Sequence, residues 1–390
     1  MIKRLVSAPS FYMAASWLAV LLIFLYEPIE LLPLSFEAEA IILYVIATAI
    51  LSSFVFSQRF TRALRIAKPT NTQDSLIKWF FIFGAVGFYG ILQYFAFASS
   101  SVGGPLNYFF LFVNNPLDIR AIAIDELGGA VQLTYFSWLS IGLGVYIIYG
   151  TPAHKLIKFF VGLLLIIIFL SNLAFIDRTR PVWLLVLSVI CYGMTRDNPQ
   201  RLLLKFTFYG PPLLLGFFIG FALFTGKLTQ GGAGETTFQY LLGGFSYLNY
   251  IFQNIEQFEY APIRTFYPIS KALESIGFIQ NVPSQVLDFY NVPYATNIGT
   301  FLEPLFSDGG LFFVLLGVPI IIFSIDWLAL RALESKNFFG VFLYGNLIFA
   351  NLISFFVAQF ASTPIYLFTV IFIFSQLAKG FSAPSGRARV

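Results

Sequence analysis

Apolar runs close to the length of a bilayer crossing recur along this chain, and they constrain its fold more than any other feature. They cover roughly residues 9–26, 38–57, 77–98, 131–150, 157–176, 181–195, 206–225, 309–330, 338–357 and 363–379. About 20 apolar residues in a helix cross the hydrocarbon core, whereas membrane β-strands alternate over about 9–11 residues. Lipid offers no partner for backbone N–H and C=O groups, so a spanning segment must satisfy its own. The runs therefore predict an all-α, polytopic integral membrane protein of about ten transmembrane helices, forming a single transmembrane domain over residues 1–390. Composition agrees. Only 11% of the 390 residues are charged and the mean hydropathy is +0.80, against about 25% charged residues in a globular domain. Too few polar side chains remain to cover a water-facing surface, which argues against a soluble enzyme, a disordered chain and a nucleic-acid binder.

Charge then orients the spans. Cytoplasmic segments collect Lys and Arg. With both termini inside, only Arg120, Arg178, Arg180, Lys227, Arg264 and Lys271 of the 23 basic residues fall outside. Asp74, Asp197, Asp326 and Glu334 fall inside, and the other carboxylates outside. The N-terminal run carries Lys3 and Arg4 ahead of it but ends at Tyr26-Glu27-Pro28, without small residues for cleavage. It is expected to stay as a first helix rather than act as a leader. The four residues Asp177-Arg178-Thr179-Arg180 separate two runs as a tight outside hairpin, because one unbroken helix of that length would overshoot the bilayer.

Two outside segments are too long to be turns: 99–130, and 226–308. Loops of that size are usually functional. Between Thr236 and Tyr260 the second holds eight Phe or Tyr, including Tyr247 and Tyr250, and reads as a helix lying in the aromatic-rich outer interface.

Few groups are available for chemistry. There is no GxxxxGK[ST], DxD or HExxH motif, so neither a P-loop nor a metal site is signalled and no cofactor is expected. The single Cys191 lies inside an apolar run, and the single His154 in a short basic loop on the inner side. Outside chemistry must use carboxylates, arginines, tyrosines and backbone. Arg178 and Arg180 stand against the positive-inside bias. They form either a solvated turn with an internal Asp177–Arg pair or an anion site, for which the planar, always charged guanidinium fork is suited. Pro181 begins the next helix, whose N-terminal dipole would add to such a site. Arg120 and Arg264 either brace their loops or join that site. The junction with Asn297, Thr300, Glu303, Asp308 and Gly309-Gly310 is either helix punctuation, with Asp308 as N-cap, or the outer mouth of the bundle, with a carboxylate able to take a proton from a hydroxyl.

These features resemble the Wzy-type O-antigen polymerases, the oligosaccharide repeat-unit polymerases of Gram-negative inner membranes. The resemblance rests on the architecture with two large outside loops, on FIDRTRPVWLL at 175–185, and on TNIGTFLEPLFSDGGLFFVLLG at 296–317, with GGFSYLNYIF at 243–252 as a softer match. It implies that 99–130 and 226–308 are periplasmic. It further implies a metal-independent glycosyltransferase that joins undecaprenyl-pyrophosphate-linked oligosaccharides. Arg178, Arg180, Arg264 and Arg120 would bind pyrophosphate, Asp308 or Asp177 would be the base, and Asn297, Thr300, Tyr247 and Tyr250 would contact glycan or lipid. Partners implied are membrane lipid and a chain-length regulator, with no nucleic acid. O-antigen ligases resemble polymerases in topology but carry a His just before the matching helix, where this chain reads Thr296-Asn297-Ile298-Gly299-Thr300. A lipid-oligosaccharide flippase is the third reading, and it should carry charge within helices around a cavity.

Overall fold

The computed structural model describes residues 2–26, 28–67, 69–114, 129–173, 175, 179–224, 232–254, 263–283, 287, 290–292 and 294–382. The fold is helical. Its helices are α1 (Ile2–Leu5), α2 (Pro9–Leu25), α3 (Phe36–Ile66), α4 (Gln73–Ser101), α5 (Pro105–Asn114), α6 (Tyr135–Gly150, preceded by a 3₁₀ turn at Gly129–Thr134), α7 (Lys155–Leu173), α8 (Thr179–Gly193), α9 (Pro199–Phe224), α10 (Gly232–Gln253), α11 (Tyr267–Ser275), α12 (Leu302–Glu334), α13 (Phe338–Leu352) and α14 (Thr363–Ser382). A two-residue hairpin, β1 (Tyr290–Asn291) with β2 (Ala295–Thr296), pairs antiparallel, where the sequence suggested no strand.

Each apolar run overlaps a helix among the described residues, although the run at 338–357 continues past the end of α13 at Leu352. Five helices, Phe36–Ile66, Gln73–Ser101, Val131–Gly150, Lys155–Leu173 and Leu302–Glu334, are long and apolar enough to cross a membrane; Pro9–Leu25, Thr179–Gly193, Phe338–Leu352 and Thr363–Ala378 are shorter apolar helices. Large apolar side chains stay exposed in rows, such as Phe159, Leu163, Ile166 and Leu170 on α7. Contiguous apolar surface of that kind suits contact with lipid rather than water.

Local chemistry explains several helix limits. Ser35 accepts the N–H of Ala38 and starts α3, with Glu37 and Glu39 in the first turn and Arg65 in the last, the charge order that complements the helix dipole. Thr72 caps α4 through Ser75. A Cβ on Gly87 of α4 would sit 2.3 Å from the backbone nitrogen of Ser137, so this glycine lets α4 approach α6 closely, as small residues do between membrane helices.

The packing has two main centres. α13 is buried on every side from Phe338 to Asn351, as expected of a helix apolar all round. It packs against α2, α8, α12 and α14, and the indole N–H of Trp183 donates to Asn346 Oδ1 at 2.9 Å. The second centre surrounds Trp17, whose ring contacts Phe245 and Phe301. It joins α2, α3, α10 and the start of α12. The aromatic stretch expected to lie in the interface is thus helical from Gly232 to Gln253, but one face is core: Leu242, Phe245, Tyr247, Leu248 and Ile251 are buried.

The expected start of a helix at Asp308-Gly309-Gly310 is present, but as a kink between two helices that follow one another directly, both included in α12. α12 begins at Leu302, loses helical geometry at Gly309 and Gly310, and continues to Glu334. Gly310 has φ +64°, a conformation that glycine adopts without steric cost. Asp308 ends the first of the two helices, and its carboxylate bonds to the backbone of 264–265 rather than capping the second.

Candidate functional site at the break in α12

The short first segment of α12 is buried from Leu302 to Ser307, which places a carboxylate in apolar surroundings. Glu303 Oε1 pairs with Arg264 Nη1 at 2.8 Å, with the two side chains only 7% and 11% exposed. Ser307, one turn on, donates its hydroxyl to the same oxygen at 2.7 Å. Asp308 faces the loop instead. Its two oxygens accept the backbone N–H groups of Arg264 at 2.7 Å and Thr265 at 2.9 Å. The loop reaches this position through Ile263 at φ +80°, a costly conformation for a β-branched residue. Such strain gathers at functional sites when the surroundings enforce it. Thr265 Oγ1 is buried and has no hydrogen-bond partner among the described residues.

Tyrosines stand beside the pair. Tyr247, Tyr250 and Tyr290 form a triangle with ring centroids 5.0, 5.5 and 6.4 Å apart. Burial pushes the Tyr247 hydroxyl well above its ordinary range, with Tyr290 and the charge of Glu303 adding to the shift and Arg264 opposing it. Burial also pushes Tyr294 up to about 12, partly offset by its bond to Ser246. Both hydroxyls therefore stay protonated, and able to donate, across any physiological pH.

The loop after β2 closes the site. Thr300 is buried and its hydroxyl oxygen accepts the N–H of Leu302 at 3.2 Å; Asn297 is half-buried nearby. The glycines of Gly243-Gly244-Phe245 allow this closure. A Cβ on Gly244 would lie 2.1 Å from the Phe355 carbonyl oxygen, and one on Gly243 would lie 2.9 Å from Thr296 Oγ1. Asn249 ties α10 to the segment before α3, accepting the Ser35 N–H at 2.7 Å and donating to Pro33 O at 3.0 Å.

Arg180 occupies different surroundings. Its Nη1 donates to Thr134 Oγ1 at 3.0 Å. The guanidinium carbon lies 4.3 Å from the ring centre of Phe175, 5.3 Å from Tyr135 and 5.9 Å from Trp138. It is a half-buried cation among aromatic faces, not a solvated turn residue. Arg120, Asp177 and Arg178 lie outside the described residues.

The structure thus brings Arg264, Asp308, Thr300, Tyr247 and Tyr250 of the sequence-predicted residues to one neighbourhood, and sets Arg180 in another. Sequence reasoning weighed Glu303 only as part of a junction and did not single out Tyr290 or Thr265. The available signal for Glu303 was a lone carboxylate inside the apolar stretch Phe301-Leu302-Glu303-Pro304-Leu305-Phe306.

Asp308 carries a direct prediction. Hydrogen bonds to a charged acceptor contribute roughly 1.5–3 kcal/mol each, so Asp308→Ala should loosen the 263–265 loop. Tryptic cleavage after Arg264 should speed up about ten-fold or more, in line with losing at least one such bond. An unchanged cleavage rate would show that the carboxylate does not hold the loop.

Comparison of the sequence and of the structure with known proteins finds no matching family model, no matching curated protein and no matching solved structure.

Proposed function

We propose that this protein is a glycosyltransferase of the bacterial inner membrane that polymerises undecaprenyl-pyrophosphate-linked oligosaccharide repeat units at the periplasmic face. The observation that carries the reading is the buried Arg264–Glu303 pair beside three clustered tyrosines at the broken start of an apolar helix. A cation next to a carboxylate offers anion stabilisation and proton acceptance within one site, and the half-buried rings of Tyr250 and Tyr290 beside it suit sugar rings or lipid. The topology of the proposal is ten spans with both termini inside.

In the proposed reaction a hydroxyl of the incoming repeat attacks the anomeric carbon of the sugar at the reducing end of the growing chain. The bond from that carbon to the pyrophosphate oxygen breaks, and undecaprenyl pyrophosphate leaves with the electron pair. Arg264 offers its remaining N–H groups to the leaving pyrophosphate. Glu303 accepts the hydroxyl proton; it replaces Asp308 in that role, because both Asp308 oxygens hold main-chain N–H groups. The leaving group is already activated, so neither metal nor nucleotide is required. Each of the two substrates carries a pyrophosphate. Arg180 provides a second cationic position, with Arg178 two positions before it in sequence.

A deletion strain tests the function. Loss of the polymerase should leave lipopolysaccharide with core plus one repeat. Bare core would instead mean a ligase, and an unchanged ladder would remove both. In a complemented strain, Arg180→Ala should shorten the glycan distribution sharply at normal protein level. A full-length distribution would take Arg180 out of the substrate site.

One observation favours the transporter reading. Asp326, within α12, is fully buried, and ionisable groups inside membrane helices often mark transport pathways. Its oxygens are nevertheless bonded to Ser10 and Ser52, which is how a structural carboxylate is held.

A further inference from the structure

At the opposite end of α12 from the candidate site, α3 and α12 enclose a cavity of about 190 Å³ whose lining includes Arg59, Arg62, Ala63, Trp327, Arg331 and Glu334. Helical spacing makes this face: Arg59, Arg62 and Ala63 are neighbours along α3, and Trp327, Arg331 and Glu334 along α12. Ala63 and Leu330 form a buried floor, while the three arginines, Trp327 and Glu334 are exposed around it. Arg331 lies 5.7 Å from the Trp327 ring centre. Its ion pair with Glu334, 3.3 Å long, is 60% and 40% exposed, and a pair so open to solvent holds its partners weakly. Three guanidinium groups thus face one carboxylate.

The surface leading to the cavity is apolar on both helices. On α3, Leu51, Phe54 and Val55 are exposed directly before Arg59. On α12, Leu316 and Ile320 are exposed before Trp327 and Arg331. Two apolar stripes therefore run side by side and end at the same cationic cavity. Tryptophan beside the charges is what the membrane–water boundary favours. Lys3 and Arg4 on α1, which packs against α3, add positive charge at this end.

We infer that this cavity binds the headgroup of one anionic glycerophospholipid, whose acyl chains lie along the exposed stripes of α3 and α12. The phosphodiester accepts from the guanidinium forks of Arg59, Arg62 and Arg331, and the chains cover surface that the protein leaves bare. A free phosphate would use the arginines but not the stripes. The inference needs α3 and α12 to lie in a membrane and is independent of the proposed reaction.

Native mass spectrometry of the intact protein, released from detergent with added phosphatidylglycerol or phosphatidylcholine, tests it. The wild type should retain one phosphatidylglycerol in preference to phosphatidylcholine, and millimolar inorganic phosphate should not displace it. A charge near an anionic lipid surface is worth about five-fold in affinity, so Arg59→Gln/Arg62→Gln/Arg331→Gln should reduce retention at least ten-fold. These side chains are exposed, and an unchanged melting temperature will show that the fold is kept. Lys155→Gln/Lys158→Gln, at the start of α7 and away from the cavity, should bind as the wild type does. Equal retention of the two lipids, full displacement by inorganic phosphate, no loss in the triple variant, or an equal loss in the lysine variant would each overturn the inference.

Discussion

Replacing Arg264 by Ala should abolish the proposed polymerisation and also destabilise the protein, and the two effects can be separated. Removing one well-placed group that stabilises developing charge costs about 100–1000-fold in rate. The same change strands Glu303, whose side chain is only 7% exposed, without its cation. Breaking a buried pair from one side costs about 3–5 kcal/mol, a large share of the roughly 5–15 kcal/mol that holds a native protein together. Loss of activity in Arg264→Ala alone is therefore ambiguous. The informative variant is Arg264→Met/Glu303→Leu. Replacing a buried ion pair by apolar side chains of similar volume is often neutral or stabilising, so its melting temperature should return towards that of the wild type. Its glycan ladder should still stop at one repeat. A thermostable double variant that makes long glycans would remove the pair from the reaction.

The second large effect is expected at Asp326, far along the same helix. Asp326 accepts the Ser10 backbone N–H at 3.0 Å, the Ser10 hydroxyl, and the Ser52 hydroxyl at 2.7 Å. Ser10 in turn shares a hydrogen bond with Ser53. Ser10 is the second residue of α2, and the residue ahead of that helix, Ala8, supplies no side-chain cap. The first N–H groups of any helix lack partners within it. Asp326 therefore caps α2 from α12, where a negative charge also meets the positive end of the helix dipole. Asp326→Ala takes the acceptor from the Ser10 N–H and the Ser52 hydroxyl, leaving Ser53 as the partner of the Ser10 hydroxyl, and unpaired buried donors cost about 1–3 kcal/mol each. The variant should lose about 3–5 kcal/mol of stability and fail to accumulate. Asp326→Asn keeps a carbonyl acceptor and should lose less. A variant Asp326→Asn that melts as the wild type does but no longer functions would point to a proton carried by this carboxylate, and so to transport.

Much of the helical framework is readable from local pattern alone. Apolar length marks α3, α4, α7 and α12, because a backbone in apolar surroundings must bond to itself. Caps such as Ser35 and Thr72 act within one turn, so they too are local. The glycines at 243–244 and 309–310 look alike in sequence but serve different ends. The first pair admits the Phe355 carbonyl, while Gly310 takes a positive φ that interrupts α12. No local pattern distinguishes a glycine needed for a neighbour from one needed for its own backbone.

The carboxylates show where local reasoning ends. Asp308 and Glu303 are separated by less than two helical turns, and Asp308, next to Gly309-Gly310, looks the more reactive in sequence. Packing reverses their standing, since Asp308 is occupied by the main chain of 264–265 whereas Glu303 meets a guanidinium. Arg180 changes in the same way, from a turn residue to a cation among Phe175, Tyr135 and Trp138.

The sequence by itself determined that this chain is helical, where its apolar segments lie, and how few charged groups it has for chemistry. Those properties follow from hydrogen bonding and hydrophobicity over about 20 residues, a range that a single segment contains. Only the tertiary structure decided which charges meet. Arg264 and Glu303 are 39 positions apart in the chain, and Ser10 and Asp326 are separated by 316. The partner of a buried charge is set by the packing of whole helices, so no property of either segment alone specifies it.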